Sequence, residues 1–267
     1  MTVQKVFARS EIKYLVSERQ RRLIEAEMPR WMRPDEFGRS TIRSLYYDTP
    51  DHLLIRRSLA SPVYKEKLRL RSYSQADDDS TVYAEIKKKF GGTVYKRRCR
   101  MTNAAAMSYL SGGWQEGGYP TDAGSGVDAQ VMKELDFMLS RYMTLTPAAL
   151  VSCEREAWYA VDDHEFRITF DDNILGRDTD LSLSEGIGGL KLLPDGQSLM
   201  EIKAGGAFPL WICRLLTEER IYKTSFSKYG TIYRRIIEPR QKIIFGSRNE
   251  YRTLIRSSDG ENTMINA

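Results

Sequence analysis

The feature of this chain that most constrains its fold is a two-residue alternation in which one face of successive segments carries mainly positive charge. Residues 63–73 show it most clearly, since every second position is basic: Lys65, Lys67, Arg69 and Arg71. A period of two predicts a β-strand whose faces meet different surroundings. Like charges on adjacent strands repel, so several such strands side by side require an anion or water between their charged faces.

The alternation recurs along the chain, so the charged faces belong to several strands. Residues 81–89 and 93–101 meet at Gly91-Gly92 and predict a hairpin, and residues 5–16, 164–174 and 199–203 are patterned alike. The charged positions of these five segments include Glu11, Lys13, Glu85, Lys87, Lys89, Lys96, Arg98, Arg100, Arg167, Asp171, Glu201 and Lys203. A solvated basic face is the ordinary explanation for a single strand. Over five or more strands, we expect apolar faces packed outward on helices and basic faces turned inward around a polyanion, with phosphate as the leading ligand class.

About eight predicted strands with helices between groups of them indicate an α+β domain. We expect an eight-stranded antiparallel sheet or closed β-barrel with flanking helices. Helices are predicted over 17–28, which opens with the capping box Ser17–Gln20, and over 127–144, 207–222 and 226–240. Residues 50–58 are predicted to form a short helix or a turn, and residues 103–117 to begin with a helix. Because composition does not break within residues 1–245, that range is predicted to be one domain, followed by a polar tail over 246–267.

Composition excludes several classes of protein. The chain carries 41 basic and 36 acidic residues, a net charge of +5, and only two histidines, which disfavours a histidine-rich zinc site or a serine-protease triad. Three widely spaced cysteines fit buried thiols in a reducing compartment. The N-terminus shows no apolar core of a secretory signal, and no apolar run is long enough for a membrane span, so we expect a cytoplasmic protein.

Sequence motifs narrow the choice further. A phosphate-binding GxxxxGK[ST] loop and the kinase Gly-rich and HRD motifs are missing from the sequence. Lysine and arginine alternate along strands rather than clustering with aromatic stacking platforms, so we expect no nucleic-acid partner. The three carboxylates Glu11, Glu85 and Glu201 share faces with lysines. Each can form a salt bridge that orients a basic side chain, or can hold a divalent metal together with phosphate oxygens.

Nine short motifs carry a family resemblance: RSEIKY (9–14), SLYYDTP (44–50), KLRLRSY (67–73), EIKKK (85–89), VYKRR (94–98), CEREAW (153–158), FRITFDDNI (166–174), MEIK (200–203) and SFSKY (225–229). In this order they resemble the VTC domain, the catalytic domain of the vacuolar transporter chaperone complex and its bacterial relatives. This family lies within the triphosphate tunnel metalloenzyme superfamily. The resemblance covers residues 5–240 and implies an eight-stranded tunnel in which ATP and Mn²⁺ or Mg²⁺ support polyphosphate synthesis.

The resemblance also implies roles for individual residues. The implied catalytic residues are Lys13, Arg69, Arg71, Arg155, Arg167 and Glu201, with Glu201 as the metal ligand. The implied phosphate- or polyphosphate-binding residues are Arg57, Lys87, Lys96, Arg98, Lys203 and Lys228. Ser225 stands where the family can have a further basic residue, for which Lys223 is a candidate substitute, and the adenine is expected near Tyr64 or Phe226. Compared with the ExExK opening of CYTH-type triphosphatases, Arg9 replaces the first carboxylate.

The implied partners are ATP and polyphosphate, with pyrophosphate and orthophosphate as related ligands. A membrane protein that receives the product would leave no trace in this sequence. Two other functions stay open at this point. One is a metal-dependent tripolyphosphatase or nucleoside triphosphatase of the CYTH type, and the other is a polyphosphate-binding module without catalytic activity.

Overall fold

The computed structural model describes residues 10–91, 93–112 and 126–242. The predictions for residues 1–9, for Gly92, for most of the loop after residue 112 and for the tail 246–267 lie outside these residues. Among the described residues, we find no helix of the length and apolarity that crossing a membrane requires.

The described residues form eleven strands and six α-helices. The strands are β1 (Ser10–Ser17), β2 (Met32–Pro34), β3 (Ser40–Asp48), β4 (Tyr64–Ser72), β5 (Thr81–Phe90), β6 (Thr93–Thr102), β7 (Thr146–Ala160), β8 (Arg167–Arg177), β9 (Leu190–Lys191), β10 (Gln197–Ala204) and β11 (Lys223–Thr224). The helices are α1 (Glu18–Glu27), α2 (Leu53–Leu59), α3 (Asn103–Leu110), α4 (Gly126–Tyr142), α5 (Leu210–Glu218) and α6 (Lys228–Ile232). A 3₁₀ turn, Met28–Arg30, follows α1, and a π-helical segment, Tyr233–Ile237, continues α6.

All strands belong to one antiparallel sheet in the order β11-β1-β10-β8-β7-β3-β4-β5-β6, with β2 beside β7 and β9 beside β8. The predicted number of eight strands is wrong, because β2, β9 and β11 add short pairings of two or three residues. Segments this short leave almost no periodic signal in a sequence. The predicted antiparallel α+β architecture is confirmed.

The predicted closed barrel is also wrong for the described residues, since no backbone pairing joins the two ends of the sheet, β6 and β11. The physical reason lies in the chain after β11. Strand β11 pairs with β1 for only two residues. The chain that follows β11 then places the Ser227 Oγ 3.2 Å from the Lys67 Nζ on β4. A side-chain hydrogen bond therefore links the chain after β11 to β4, while no backbone pairing between β11 and β6 occurs among the described residues.

Apolar faces pack outward on helices, as predicted. On one half of the convex face, Leu68 of β4 and Ile86 of β5 pack beneath α3 and α4. On the other half, Ile168 of β8 and Ile202 of β10 pack beneath α1 and α5. Because alternate residues of a strand point to opposite faces, the intervening charged residues are turned to the concave side.

The concave face is partly filled by α6. Tyr229 and Ile232 of this helix pack against Ile42, Val151 and Leu199 from the floor of the sheet. The predicted helix over 226–240 thus begins two residues later, and its turns widen in the π-helical segment. This plug leaves the remaining concave surface to the charged side chains.

Local capping explains where two helices begin. Ser17 and Gln20 form the predicted capping box at the start of α1. The start of α2 depends on Asp48 at the end of β3, a fully buried residue. Its carboxylate accepts hydrogen bonds from the backbone N–H groups of Leu54 and Ile55, at 2.8 and 2.9 Å, and from the Tyr229 hydroxyl at 2.9 Å. Asp48 therefore joins β3, α2 and α6.

We predict that Asp48→Ala lowers the free energy of unfolding by about 3 kcal/mol, because several buried donors lose their acceptor together. Urea denaturation followed by circular dichroism measures the change. Asp51→Ala is the matched control. The Asp51 side chain is 63% exposed, so the expected change is within about 1 kcal/mol. Equal effects of the two substitutions would contradict this account of α2.

Candidate functional site

The concave face forms a basic cleft, which we define by thirteen charged residues linked by ion pairs or Coulombic interactions. Nine are cations and four are carboxylates, an excess of five positive charges. The cations are Lys13, Lys67, Arg69, Arg71, Lys87, Lys96, Arg155, Lys203 and Lys228, and the carboxylates are Glu11, Glu85, Asp171 and Glu201. Strand register sets their positions, since Lys13 lies opposite Glu201 and Arg69 opposite Glu85.

One wall of the basic cleft is organised by two buried carboxylates. Asp171 of β8 is fully buried and accepts hydrogen bonds from the Arg155 Nη2 at 2.6 Å and from the Lys228 Nζ. Glu201 of β10 lies beside it, with its Oε1 3.2 Å from the Lys13 Nζ and its Oε2 3.6 Å from the Arg155 Nη2. Arg155 thus contacts both carboxylates, so its guanidinium orientation is fixed before any ligand binds.

The opposite wall is organised by Glu85 of β5, which is 1% exposed. Its carboxylate lies 2.7 Å from the Arg69 Nη2, 2.6 Å from the Lys96 Nζ and 3.7 Å from the Arg71 Nε. Three cations from β4 and β6 therefore share one carboxylate. The two walls use the same construction, in which buried carboxylates hold several cations.

Curvature of the sheet brings the two walls together. The Glu11 Oε1 on β1 is 3.3 Å from the Lys87 Nζ on β5, although six steps along the sheet order separate these two strands. The Lys13 Nζ donates to the Phe226 carbonyl at 3.1 Å, which ties β1 to the chain entering α6. The basic cleft is therefore a two-walled channel bridged at one edge by an ion pair.

The carboxylates of the basic cleft are strongly acidic. Burial acts to raise the pKa of Glu85, but Arg69, Arg71 and Lys96 outweigh it and lower that pKa to about 2. Burial likewise opposes the effect of Lys228 and Arg155 on Asp171, whose pKa falls to about 2. Lys13 and its neighbours lower the pKa of Glu201 well below its ordinary value despite burial. These groups are thus ionised throughout the neutral range.

Burial and neighbouring cations lower the pKa values of two lysines of the basic cleft. Burial lowers the pKa of Lys67 to about 8, and the nearby Lys13 and Lys87 act in the same direction. Burial also lowers the pKa of Lys96 to about 8, with Arg69 and Arg71 adding to it against the opposing effect of Glu85. Lys67 and Lys96 both lie directly opposite Lys87 in the sheet. Such like-charged pairs are unfavourable unless an anion lies between them.

The family resemblance implies a divalent metal, and the carboxylates of the basic cleft fit such an ion only when phosphate oxygens complete its coordination. No group of three or more histidine, cysteine or acidic residues with metal-binding geometry occurs among the described residues. Glu201 and Glu11 do approach the same Lys13 ammonium, at 3.2 and 4.0 Å, and Mg²⁺ is commonly bound by one or two carboxylates plus substrate phosphates. The residues thus fit a metal ion that arrives with a triphosphate, and not one held by protein ligands alone.

Most predicted site residues meet in the basic cleft: Lys13, Arg69, Arg71, Lys87, Lys96, Arg155, Glu201, Lys203 and Lys228. Two lie at its rim. The Arg167 side chain is 46% exposed and 3.5 Å from Asp35, and the Arg98 guanidinium lies 5.0 Å from the centre of the Tyr83 ring. Arg57 is exposed on α2, where its charge acts on Tyr142 of α4, so the described contacts do not bring it into the cluster. A role for Arg57 stays a prediction.

The structure also adds residues to which the sequence assigned no site role. Asp171 and Lys67 lie on charged faces that the alternation had identified, so their inward orientation was predictable although their contacts were not. Tyr46 of β3 lies in the motif SLYYDTP, but residues 40–48 are almost uncharged, so the charge alternation assigned it no site role. Its hydroxyl accepts a hydrogen bond from the Arg69 Nη1 at 3.1 Å.

The two aromatic candidates for an adenine site, Tyr64 and Phe226, lie on different sides of the sheet. Phe226 packs beside the cleft, but Tyr64 lies on the convex side, where its hydroxyl donates to Glu66 at 2.7 Å. Tyr64 is therefore not an adenine platform of this cleft. Lys223 is opposite Tyr14, a residue of the convex core, and so does not substitute for the missing basic residue. Alternation along β4 and β11 determines both outcomes.

A second concavity, a cavity of about 680 Å³, lies on the convex side beside α1. Its lining includes five carboxylates and four cations. Arg21 pairs there with Glu25, Glu156 and Asp172, and Lys191 pairs with Asp195. Since acidic residues outnumber basic ones, this cavity lacks the positive excess that distinguishes the basic cleft.

Comparison with known proteins agrees with this architecture. The solved structure of a "putative adenylate cyclase" from Bacillus halodurans matches with a TM-score of 0.50 at 16% identity, covering 86% of this chain and 99% of that one. A second protein so described, from Vibrio parahaemolyticus, matches with a TM-score of 0.43 at 13% identity, covering 84% and 97% of the two chains. No curated protein sequence matches the chain. The VTC domain model matches residues 8–237, so this chain belongs to the VTC domain family.

Proposed function

We propose that this protein is an ATP-dependent polyphosphate polymerase whose reaction takes place in the basic cleft. The observation that carries the proposal is the excess of cations in the basic cleft, nine against four carboxylates, arranged along two facing walls. One nucleotide triphosphate and one chain of phosphates together supply the negative charge that such a surface requires. Membership of the VTC domain family supports the same assignment.

The proposed reaction needs little covalent chemistry from the protein. A terminal oxygen of the polyphosphate chain attacks the γ-phosphorus of ATP, a new P–O bond forms, the bond to the β-phosphate oxygen breaks, and ADP leaves. The attacking oxygen is already anionic, so no general base is required. Catalysis then rests on positioning two polyanions and stabilising charge on the transferring group.

The cations divide by chemistry. Arg69, Arg71 and Arg155 present planar guanidinium groups oriented by buried carboxylates, and they suit bidentate contacts to the triphosphate. Lysines act as flexible point charges, so Lys67, Lys87 and Lys96 suit a chain that must advance after each transfer. Lys13, Lys203 and Lys228 lie nearer Glu201 and Asp171, beside the expected position of the transferred phosphoryl group. We also propose that Arg57, Arg98 and Arg167 contact phosphates at the entrance of the basic cleft.

A divalent ion bound to ATP would neutralise charge on the phosphates and orient them. Glu201 and Glu11 are the residues of this chain that would hold it. They engage Lys13 in the free protein, so the entry of a metal–nucleotide complex would also release this lysine toward phosphate.

The direct test incubates the purified protein with ATP and Mn²⁺ or Mg²⁺ and analyses the product on a gel with a polyphosphate-specific dye. A ladder that exopolyphosphatase removes is the expected result. Orthophosphate release without polymer would overturn the polymerase in favour of a triphosphatase. Tight tripolyphosphate binding without turnover would overturn it in favour of a binding module.

We predict that Arg155→Ala reduces polymer synthesis at least about tenfold, because it removes a guanidinium that also orients two carboxylates. Initial rates of ADP formation at saturating ATP measure the effect. Arg22→Ala is the matched control, since Arg22 lies on α1 with its side chain 64% exposed. A polymerase rate in Arg155→Ala equal to that of the control would remove Arg155 from the proposed mechanism.

Glu201→Gln separates metal use from phosphate binding. We expect loss of metal-dependent turnover, together with unchanged or tighter binding of tripolyphosphate in the presence of a chelator, because one anion that competes for Lys13 and Arg155 is neutralised. Isothermal titration calorimetry and the gel assay provide the two measurements. Turnover at the wild-type rate would show that Glu201 acts only as a salt-bridge partner.

The shifted lysines predict a pH dependence of tripolyphosphate binding at constant ionic strength. A bound polyanion favours the protonated lysines, and Lys67 and Lys96 have pKa values of about 8 in the free protein. Affinity is therefore expected to be highest below about pH 8 and to fall as pH rises through that value. Replacing both residues by arginine keeps their charge and should shift the fall to higher pH. An unchanged profile in that double variant would contradict the role of these lysines.

A further inference from the structure

Tyr46 occupies an unusual position for a tyrosine, on the floor of a cleft lined by cations. Its neighbours in β3, Leu45 and Tyr47, point into the convex core, so alternation directs Tyr46 to the concave side. Its side chain is buried, and its hydroxyl oxygen accepts a hydrogen bond from the Arg69 Nη1 at 3.1 Å. The same guanidinium lies above the Tyr46 ring, 5.8 Å from its centre.

The ring of Tyr46 is held rigidly from below. It stacks on Tyr229 of α6 with ring centres 5.0 Å apart and an interplanar angle of 24°. The Tyr229 hydroxyl in turn donates to the buried Asp48. A hydroxyl on such a support keeps one position in the cleft, as a group that recognises a ligand atom must.

Among the described residues, the Tyr46 hydroxyl makes one hydrogen bond, which it accepts from Arg69. Its own hydrogen has no acceptor among these residues. The groups facing it are Arg69, Lys67 and Arg71 from β4, and Lys228 and Tyr229 from α6. On β7 the residue opposite is the uncharged Ala149. A phenolic O–H group can donate one hydrogen bond, and the surrounding cations would attract an anion that accepts it.

We infer that Tyr46 is a phosphate-binding residue, whose hydroxyl donates a hydrogen bond to an oxygen of the bound polyanion while Arg69 contacts the same or the next phosphate. The inference rests on the proposed function only in that the basic cleft binds phosphate chains. It adds a neutral, directional donor to a surface whose other phosphate-binding groups are positively charged. Such a donor selects phosphate position, whereas charges alone attract any polyanion.

Electrostatics gives this contact a spectroscopic signature. Burial acts to raise the pKa of Tyr46, but Arg69, Lys67, Arg71 and Lys228 outweigh it and lower that pKa to about 8. At slightly alkaline pH, part of the free protein therefore holds Tyr46 as phenolate. A bound phosphate neutralises the surrounding cations and favours the phenol, so binding should be accompanied by proton uptake at Tyr46.

The experiment titrates the full-length protein with tripolyphosphate at about pH 8.5, where the free Tyr46 is partly ionised, and records ultraviolet difference spectra and binding heats. We expect tyrosinate absorbance to fall in proportion to occupancy. Tyr46→Phe should abolish this change and weaken binding about tenfold. Tyr47→Phe is the matched control, since Tyr47 is the next residue and its hydroxyl contacts Met107 in the convex core. It should leave both signals intact.

The outcomes distinguish the two proposals. Absence of tripolyphosphate binding by the wild-type protein would overturn the polyanion site, and the inference about Tyr46 with it. Normal binding without a change in tyrosinate absorbance would overturn the inference alone. Wild-type affinity in Tyr46→Phe would do the same. The wild-type spectral change does not depend on how well the variant folds, so it decides the question even if Tyr46→Phe is unstable.

Discussion

The structure depends on one electrostatic constraint, the confinement of nine cations to the concave side of a single curved sheet. Directly opposed lysines such as Lys67 and Lys87 repel across the β4–β5 pairing. Three buried carboxylates, Glu85, Asp171 and Glu201, partly offset this repulsion and fix the directions of the guanidinium groups. With Glu11, four carboxylates face nine cations, so the basic cleft keeps an excess of positive charge that favours binding of an anion.

The same constraint explains why helices are placed as they are. Charged faces turn inward, so the apolar faces of the strands must be covered from outside, by α3 and α4 on one half and by α1 and α5 on the other. On the inside, α6 covers the apolar part of the floor and also delivers Lys228 to Asp171. A helix that plugs the cleft and contributes a cation couples the core of the protein to its proposed chemistry.

Much of this organisation was predictable from local pattern. Strands β4, β5 and β6 begin and end within one residue of the predicted segments 63–73, 81–89 and 93–101, the β5–β6 hairpin is present, and the capping box Ser17–Gln20 starts α1. Alternation also identified the inward cations. Two expectations are wrong. Among the described residues the barrel does not close, because β11 pairs with β1 for only two residues, and the number of strands exceeds eight, because β2, β9 and β11 add pairings of two or three residues.

The sequence by itself determined the faces: a period of two assigns each side chain to one side of its strand, and a single-signed face predicts an anionic ligand. Tertiary structure alone decided which charges meet. Glu11 and Lys87 form an ion pair because the sheet curls, and Asp171 receives both Arg155 and Lys228 because α6 enters the cleft. Tyr46 lies in a stretch of sequence with little charge, and its proposed role depends on cations from β4 and α6. Pairings between distant segments depend on curvature and helix docking, and neither property is encoded in local alternation.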